Sequence, residues 1–162
     1  MTPELHRPLV MDRIGPSGLD ITVEADTSEC AALAARMRIP AIDWLSCAFH
    51  LARGSGQSII ATGHLRARVV QTCVISMEDF PAEVEERFRL RWVPAEQESD
   101  EIDPEDEEDE VVYVDGVLDL GEAAAEQLGL ALDPYPRQPG AELPEIEAEA
   151  EPHPFDVLRR RH

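Results

Sequence analysis

Residues 58–75 alternate between apolar and polar side chains with a period of two, and this run constrains the fold more than any other. Its odd positions are Ile59, Ala61, Gly63, Leu65, Ala67, Val69, Gln71, Cys73 and Ile75. Its even positions include Thr62, His64, Arg66, Arg68 and Thr72. A helix would scatter this pattern around its axis, whereas a strand sorts it onto two faces. One face is buried and the other solvated, as in an antiparallel sheet. At ~3.3 Å per residue such a strand is long enough to predict a bend or bulge near Gly63.

The neighbouring segments repeat the pattern. Leu45, Cys47, Phe49 and Leu51 alternate with Trp44, Ser46, Ala48 and His50. Arg53-Gly54-Ser55-Gly56 then reads as a hairpin break. After a connection around Glu78-Asp79-Phe80-Pro81, residues 84–93 set Val84, Phe88, Leu90 and Trp92 against Glu85, Arg87, Arg89 and Arg91. Leu9–Arg13 and Leu19–Glu24 predict two short strands around Gly15-Pro16-Ser17-Gly18, and Val111–Val114 predicts another.

Two helices interrupt the strands. Asp26 and Glu29 have capping-box spacing, and Cys30, Leu33, Ala34 and Met37 make one apolar stripe that Pro40 ends. Asp119 caps a second helix, with Glu122 at the capping-box position. Leu120, Ala123, Ala124 and Leu128 form its apolar face. Gly129 is its expected stop, and Leu130, Leu132 and Pro134 continue as an apolar strap. The order β-β-α-β-β-β-β-α predicts an α+β fold whose antiparallel sheet curls toward a barrel at most. The expected organisation is one domain over 1–132, with an acidic loop inserted at 96–110, and an extended acidic tail over 133–162.

Charge divides the chain. The formal net charge is −20, which argues against a polybasic binder and against a DNA partner. Residues 1–95 nevertheless carry only −2, with 10 Arg against 12 acids. Residues 96–110 hold 11 acids and no base. Such a run repels itself and reads as a solvated loop. All 14 basic residues are Arg, which genomic base composition explains without a functional demand.

No catalytic motif stands out. His6, His50, His64, His153 and His162 are scattered, and no phosphate loop or nucleophile elbow is present. The acidic run lacks the Asp/Asn and Gly spacing of a calcium loop, so no metal or cofactor is expected. Cys30, Cys47 and Cys73 are too few and too distant for a disulfide framework. Cys73 reads as a buried structural thiol. No 18-residue apolar stretch and no basic leader is present, so a cytoplasmic location without a membrane role is expected.

The arginines are more informative. If the long strands pair as a meander, His64, Arg66, Arg68, Arg87, Arg89 and Arg91 converge on one surface. Guanidinium groups fork onto phosphates and stack on bases, so this stripe is a candidate for binding RNA or a partner. The structural alternative is pairing with local acids such as Glu85 and Glu86, or with the acidic run. If that run folds over the stripe, deleting 96–110 should raise RNA retention at low salt. Near the C-terminus, Pro154, Phe155, Val157 and Leu158 precede Arg159, Arg160 and Arg161, the composition of a docking peptide.

The segments Gly63-His-Leu-Arg-Ala-Arg-Val-Val-Gln-Thr-Cys73, Val74-Ile-Ser-Met-Glu-Asp-Phe80, Val114-Asp-Gly-Val-Leu-Asp-Leu-Gly121 and Glu126-Gln-Leu-Gly-Leu-Ala-Leu-Asp-Pro134 occur in a telling order. With Pro152-His-Pro-Phe155 and the basic end, they resemble the YceD family of large ribosomal RNA subunit accumulation proteins, in its alphaproteobacterial form. Many members carry Cys-x-x-Cys where this chain has Cys73-Val-Ile-Ser76, so Cys73 and Ser76 mark the family motif without the paired thiols. The resemblance implies a non-enzymatic factor supporting synthesis, processing or stability of large-subunit rRNA.

Two mechanisms fit that role. Either the arginine stripe contacts rRNA within a pre-ribosomal particle, or the acidic segments shield a basic ribosomal protein. Net charge favours the second. The rivals are a metal-dependent RNA-processing enzyme and an interaction module without an RNA role.

Overall fold

In a computed structural model, residues 2–97 and 109–144 are described. β1 (Pro8–Val10) and β2 (Leu19–Glu24) precede α1 (Thr27–Met37). The long strands β3 (Ala41–Arg53), β4 (Ile59–Thr72) and β5 (Asp79–Pro94) follow. Last come β6 (Asp109–Tyr113), β7 (Val117–Asp119) and α2 (Leu120–Ala131). The main sheet has the order β2-β3-β4-β5-β6, and β1 pairs with β7 in a separate ribbon.

The fold is α+β, and its five-stranded sheet is open rather than closed into a barrel. Most of the sheet is an antiparallel meander, but β6 runs parallel to β5, with Leu90 opposite Asp109 and Pro94 opposite Tyr113. The expected hairpin between the first two strands does not form. Leu9 instead pairs with Leu118, more than a hundred residues away, while Met11–Arg13 turns as a short 3-10 segment.

Local chemistry sets the helix ends. Asp26 accepts from the Glu29 amide at 2.8 Å, and Glu29 accepts from the Asp26 amide at 2.8 Å, closing the capping box on α1. Arg7 grips Glu29 with both terminal nitrogens, at 2.7 and 2.8 Å. Asp119 caps α2 by accepting from Gly121 and Glu122 amides. The Glu122 side chain turns to Arg36 of α1, at 2.8 and 3.1 Å.

Gly129 does not stop α2. The helix continues to Ala131, and a side chain at 129 would meet Met37 of α1. That contact, at 3.9 Å, is an ordinary van der Waals distance, so the space there does not require glycine. Of the expected strap, Leu130 is exposed and Leu132 packs against the core.

The sheet's inner face carries Leu45, Cys47, Phe49, Leu51, Leu65, Val69, Leu90 and Trp92, all buried. Leu33 of α1, Leu128 of α2 and the N-terminal Leu5 join the same core. Aliphatic burial at ~25 cal/mol per Å² drives this packing. The one register irregularity between β3 and β4 lies between Ile42 and Trp44, not at Gly63. Gly63 has a different purpose. A Cβ there would come within 2.0 Å of the Phe88 ring, so its bare backbone is what lets Phe88 lie across the sheet beside Phe49.

The turn between β4 and β5 spans 73–78, because β5 already starts at Asp79. Cys73 donates its amide to Glu78, and Met77 sits at φ 60°.

Candidate functional site

The antiparallel register places the outward side chains of β2–β5 in rows. One row runs Thr22, Ala48, His64, Arg87, and the next runs Asp20, His50, Thr62, Arg89. Beside them lies Glu24, Ser46, Arg66, Glu85, then Trp44, Arg68, Glu83. Ile60 pairs with Arg91 at the other end, and Glu110 of β6 stands beside Arg91. All six side chains of the predicted stripe therefore share one sheet face.

Their charges are not equally engaged. Arg68 bridges Asp43 at 3.4 Å and Glu83 at 3.8 Å, so the end of the face near Trp44 is balanced. His64 Nε2 donates to Glu85 at 2.7 Å, since an ionised carboxylate only accepts. That bond holds Glu85 below its usual range, with Arg66 and Arg87 adding a smaller attraction. Glu86, opposite the inner-face Leu65, points to the other face of the sheet. Among the described residues, Arg66, Arg87 and Arg91 form no ion pair and the buried Arg91 Nε has no hydrogen-bond partner.

Among the residues outside the predicted stripe on this face are Trp44, Ala48 and His50 of β3. His50 Nδ1 donates to Asp20 at 2.6 Å, diagonal to His64 across Thr62 and Ala48. Trp44 is 40% exposed beside Arg68. The alternation in β3 already placed Trp44, Ala48 and His50 outward. What the sequence lacked was the register that sets His50 opposite Thr62.

A second cluster lies at the 73–78 turn. Cys73 is fully buried, and its Sγ accepts from the Ser76 amide at 3.5 Å. Hydrogen bonds from the Ser76 side chain and amide lower its thiol to about 7, while burial acts in the opposite sense. Gln138 donates to Ser76 Oγ at 2.9 Å and to Glu78 at 3.1 Å, and the Val74 amide donates to Pro136. Hydrogen bonds thus hold 136–138 against the turn. The chemistry is that of one thiol, one hydroxyl and one amide, not of a thiolate set for a metal. Burial instead pushes the Cys47 thiol, on the inner face, up to about 12.

Among the described residues, no group of three or more His, Cys, Asp and Glu side chains converges as a metal site. None of their helices is long and apolar enough to cross a membrane. Pro154, Phe155, Val157 and Leu158, and residues 98–108 of the acidic run, lie outside the described residues.

Among the described residues, the open α+β sheet carries the predicted arginines on its outer face. Residues 61–158 match the family model described as large ribosomal RNA subunit accumulation protein YceD, and the chain belongs to that family. The match begins inside β4, so β1–β3 and α1 lie before it. Neither the comparison with curated proteins nor that with solved structures gave a match. The family name points to a role in accumulation of the large-subunit ribosomal RNA rather than to a catalysed reaction.

Proposed function

We propose that the chain supports large-subunit rRNA accumulation by contacting rRNA with the outer face of β4 and β5, in the cytoplasm and without catalysing a reaction. The observation that carries this reading is the convergence of Arg66, Arg87 and Arg91 on that face, without an ion pair among the described residues. Guanidinium forks suit phosphate oxygens, and desolvated pairing with them is strong. The domain over 1–132 presents the face, and the acidic C-terminal segment 133–162 follows it, with 136–138 bonded to the 73–78 turn. Pro154, Phe155, Val157 and Leu158 then provide a separate partner contact.

The acidic run supports a second reading, in which 96–110 holds a basic ribosomal protein until it meets rRNA. Its 11 acids in 15 residues favour a cationic partner. Crosslinking on assembling large-subunit particles separates the two. Arg66→Glu, Arg87→Glu and Arg91→Glu combined should abolish crosslinks to rRNA and leave ribosomal-protein crosslinks intact. Loss of crosslinks only after neutralising 96–110 would overturn the direct mechanism in favour of shielding.

A further inference from the structure

The outer face is not uniform. Between β2, β3 and β4 it sinks into a depression of about 430 Å³ lined by Thr22, Ala48, His50, Thr62, His64 and Arg87. The cause is in the rows. Ala48 is a short side chain between Thr22 and His64, with His50 and Thr62 on the adjoining row, so the floor drops at one point.

The walls are oriented. Asp20 holds His50 through Nδ1 and Glu85 holds His64 through Nε2, which anchors the two rings at diagonal positions. Gly18 lies against the His50 ring, where a Cβ would approach Cε1 to 3.0 Å. Arg87, opposite His64, puts a cation at the rim.

We infer that this depression seats one unpaired nucleotide of an RNA strand, its base over Ala48 between the two imidazoles and its phosphate against Arg87. The inference rests on the RNA-contacting reading above and adds to it a preference for single strands. Planar rings accept a base of any identity, and a guanidinium at the rim donates to the phosphate that accompanies it. Thr22 and Thr62 supply hydroxyls at the floor for the edges of the base. A base held in a duplex cannot enter, because its faces are already stacked. The arginines outside the depression, Arg66 and Arg91, attract either form of RNA through its backbone.

The test is fluorescence anisotropy with a labelled eight-nucleotide RNA, as a single strand and as a duplex, at fixed low salt. Ala48→Leu fills the floor without altering charge, at an exposed position. It should weaken the single strand about tenfold, the loss expected for one stacked base, and leave the duplex within about twofold. His64→Ala provides a second variant should Ala48→Leu fail to fold, with the same preference for weakening the single strand. Single-strand binding unchanged in both variants, with Arg66→Glu/Arg91→Glu still losing RNA, would overturn the seat and leave the RNA-contacting reading in place. No binding of either RNA by the wild-type chain would overturn both. Uridine monophosphate binding as tightly as the eight-nucleotide strand would make a free nucleotide the occupant and overturn RNA.

Discussion

Leu65 and Arg66 are neighbours on β4 and belong to different problems. Leu65 is fully buried on the inner face, and Arg66 is exposed on the outer one. A pleated strand makes such neighbours physically independent, because their side chains leave the backbone in opposite directions. The inner face therefore answers for stability and the outer face for what the sheet touches. The outer face divides again: Arg68 is balanced by Asp43 and Glu83, whereas Arg66, two residues earlier, has no ion pair among the described residues.

The largest effect expected from breaking this separation is on the inner side. Leu65→Ala should lower unfolding free energy by about 2–5 kcal/mol in a urea titration, with RNA affinity retained under conditions where the chain is folded. Gly63→Ala should follow, at about 1–3 kcal/mol, since the new methyl meets the Phe88 ring. Adding Phe88→Leu should recover part of that loss.

Outer-face changes invert the pattern. Arg66→Glu with Arg87→Glu should weaken RNA binding at least tenfold and move stability by no more than about 0.5 kcal/mol. The slope of log affinity against log salt should also fall by about 0.7 for each single-strand phosphate contact removed. Arg68→Glu sharpens the division within the face. Because its charge is already opposed by two carboxylates, the expected loss of RNA affinity is about twofold.

Acid titration gives the smallest and most local comparison. Hydrogen bonds from Arg7 hold Glu29 below the usual carboxylate range, as the bond from His64 does Glu85. A lowered carboxyl adds stability that is present above its unfolded pKa and lost as pH falls through its folded one. Arg7→Ala should therefore flatten the acid limb of a stability–pH curve below about pH 4.3. His64→Gln, beside an exposed carboxylate, should flatten it less. Equal flattening would show that the exposed His64–Glu85 bond contributes as much as the Arg7–Glu29 pair at the start of α1.

Much of this arrangement is legible in the chain. Alternation over 58–75 and 84–93 assigns the residues of β4 and the eight alternating residues named in β5 to their observed faces, and the stripe of five arginines with His64 follows directly. The alternation overruns β4, which ends at Thr72, and misses the start of β5, which takes in Asp79–Pro81 from the expected connection. The capping box at Asp26 and Glu29 is equally local. What the sequence does not reveal depends on distant partners. Leu9 finds Leu118 only after the chain closes, so the N-terminal ribbon could not be paired from nearby turns. The parallel return of β6 lies beyond the acidic run and has no periodicity of its own to mark its direction. Gly129 reads as a helix stop because glycine often is one, but α2 runs two residues further, to Ala131, so the local signal misplaces the helix end. His50 was visible as an outward residue but not as part of a site, because only the register brings it diagonal to His64. The division between Arg66 and Arg68 likewise needed side-chain geometry, since both sit on the same polar face of the pattern.

The chain has two tryptophans, and the sheet separates them. Trp92 is 2% exposed among inner-face aliphatic residues, and Trp44 is 40% exposed on the outer face beside Arg68. The protein thus carries an intrinsic optical reporter on each side of the same sheet. With Trp44→Phe, the remaining emission follows the integrity of the core. With Trp92→Phe, it follows what arrives at the surface, so folding and binding can be read as separate colours of one molecule.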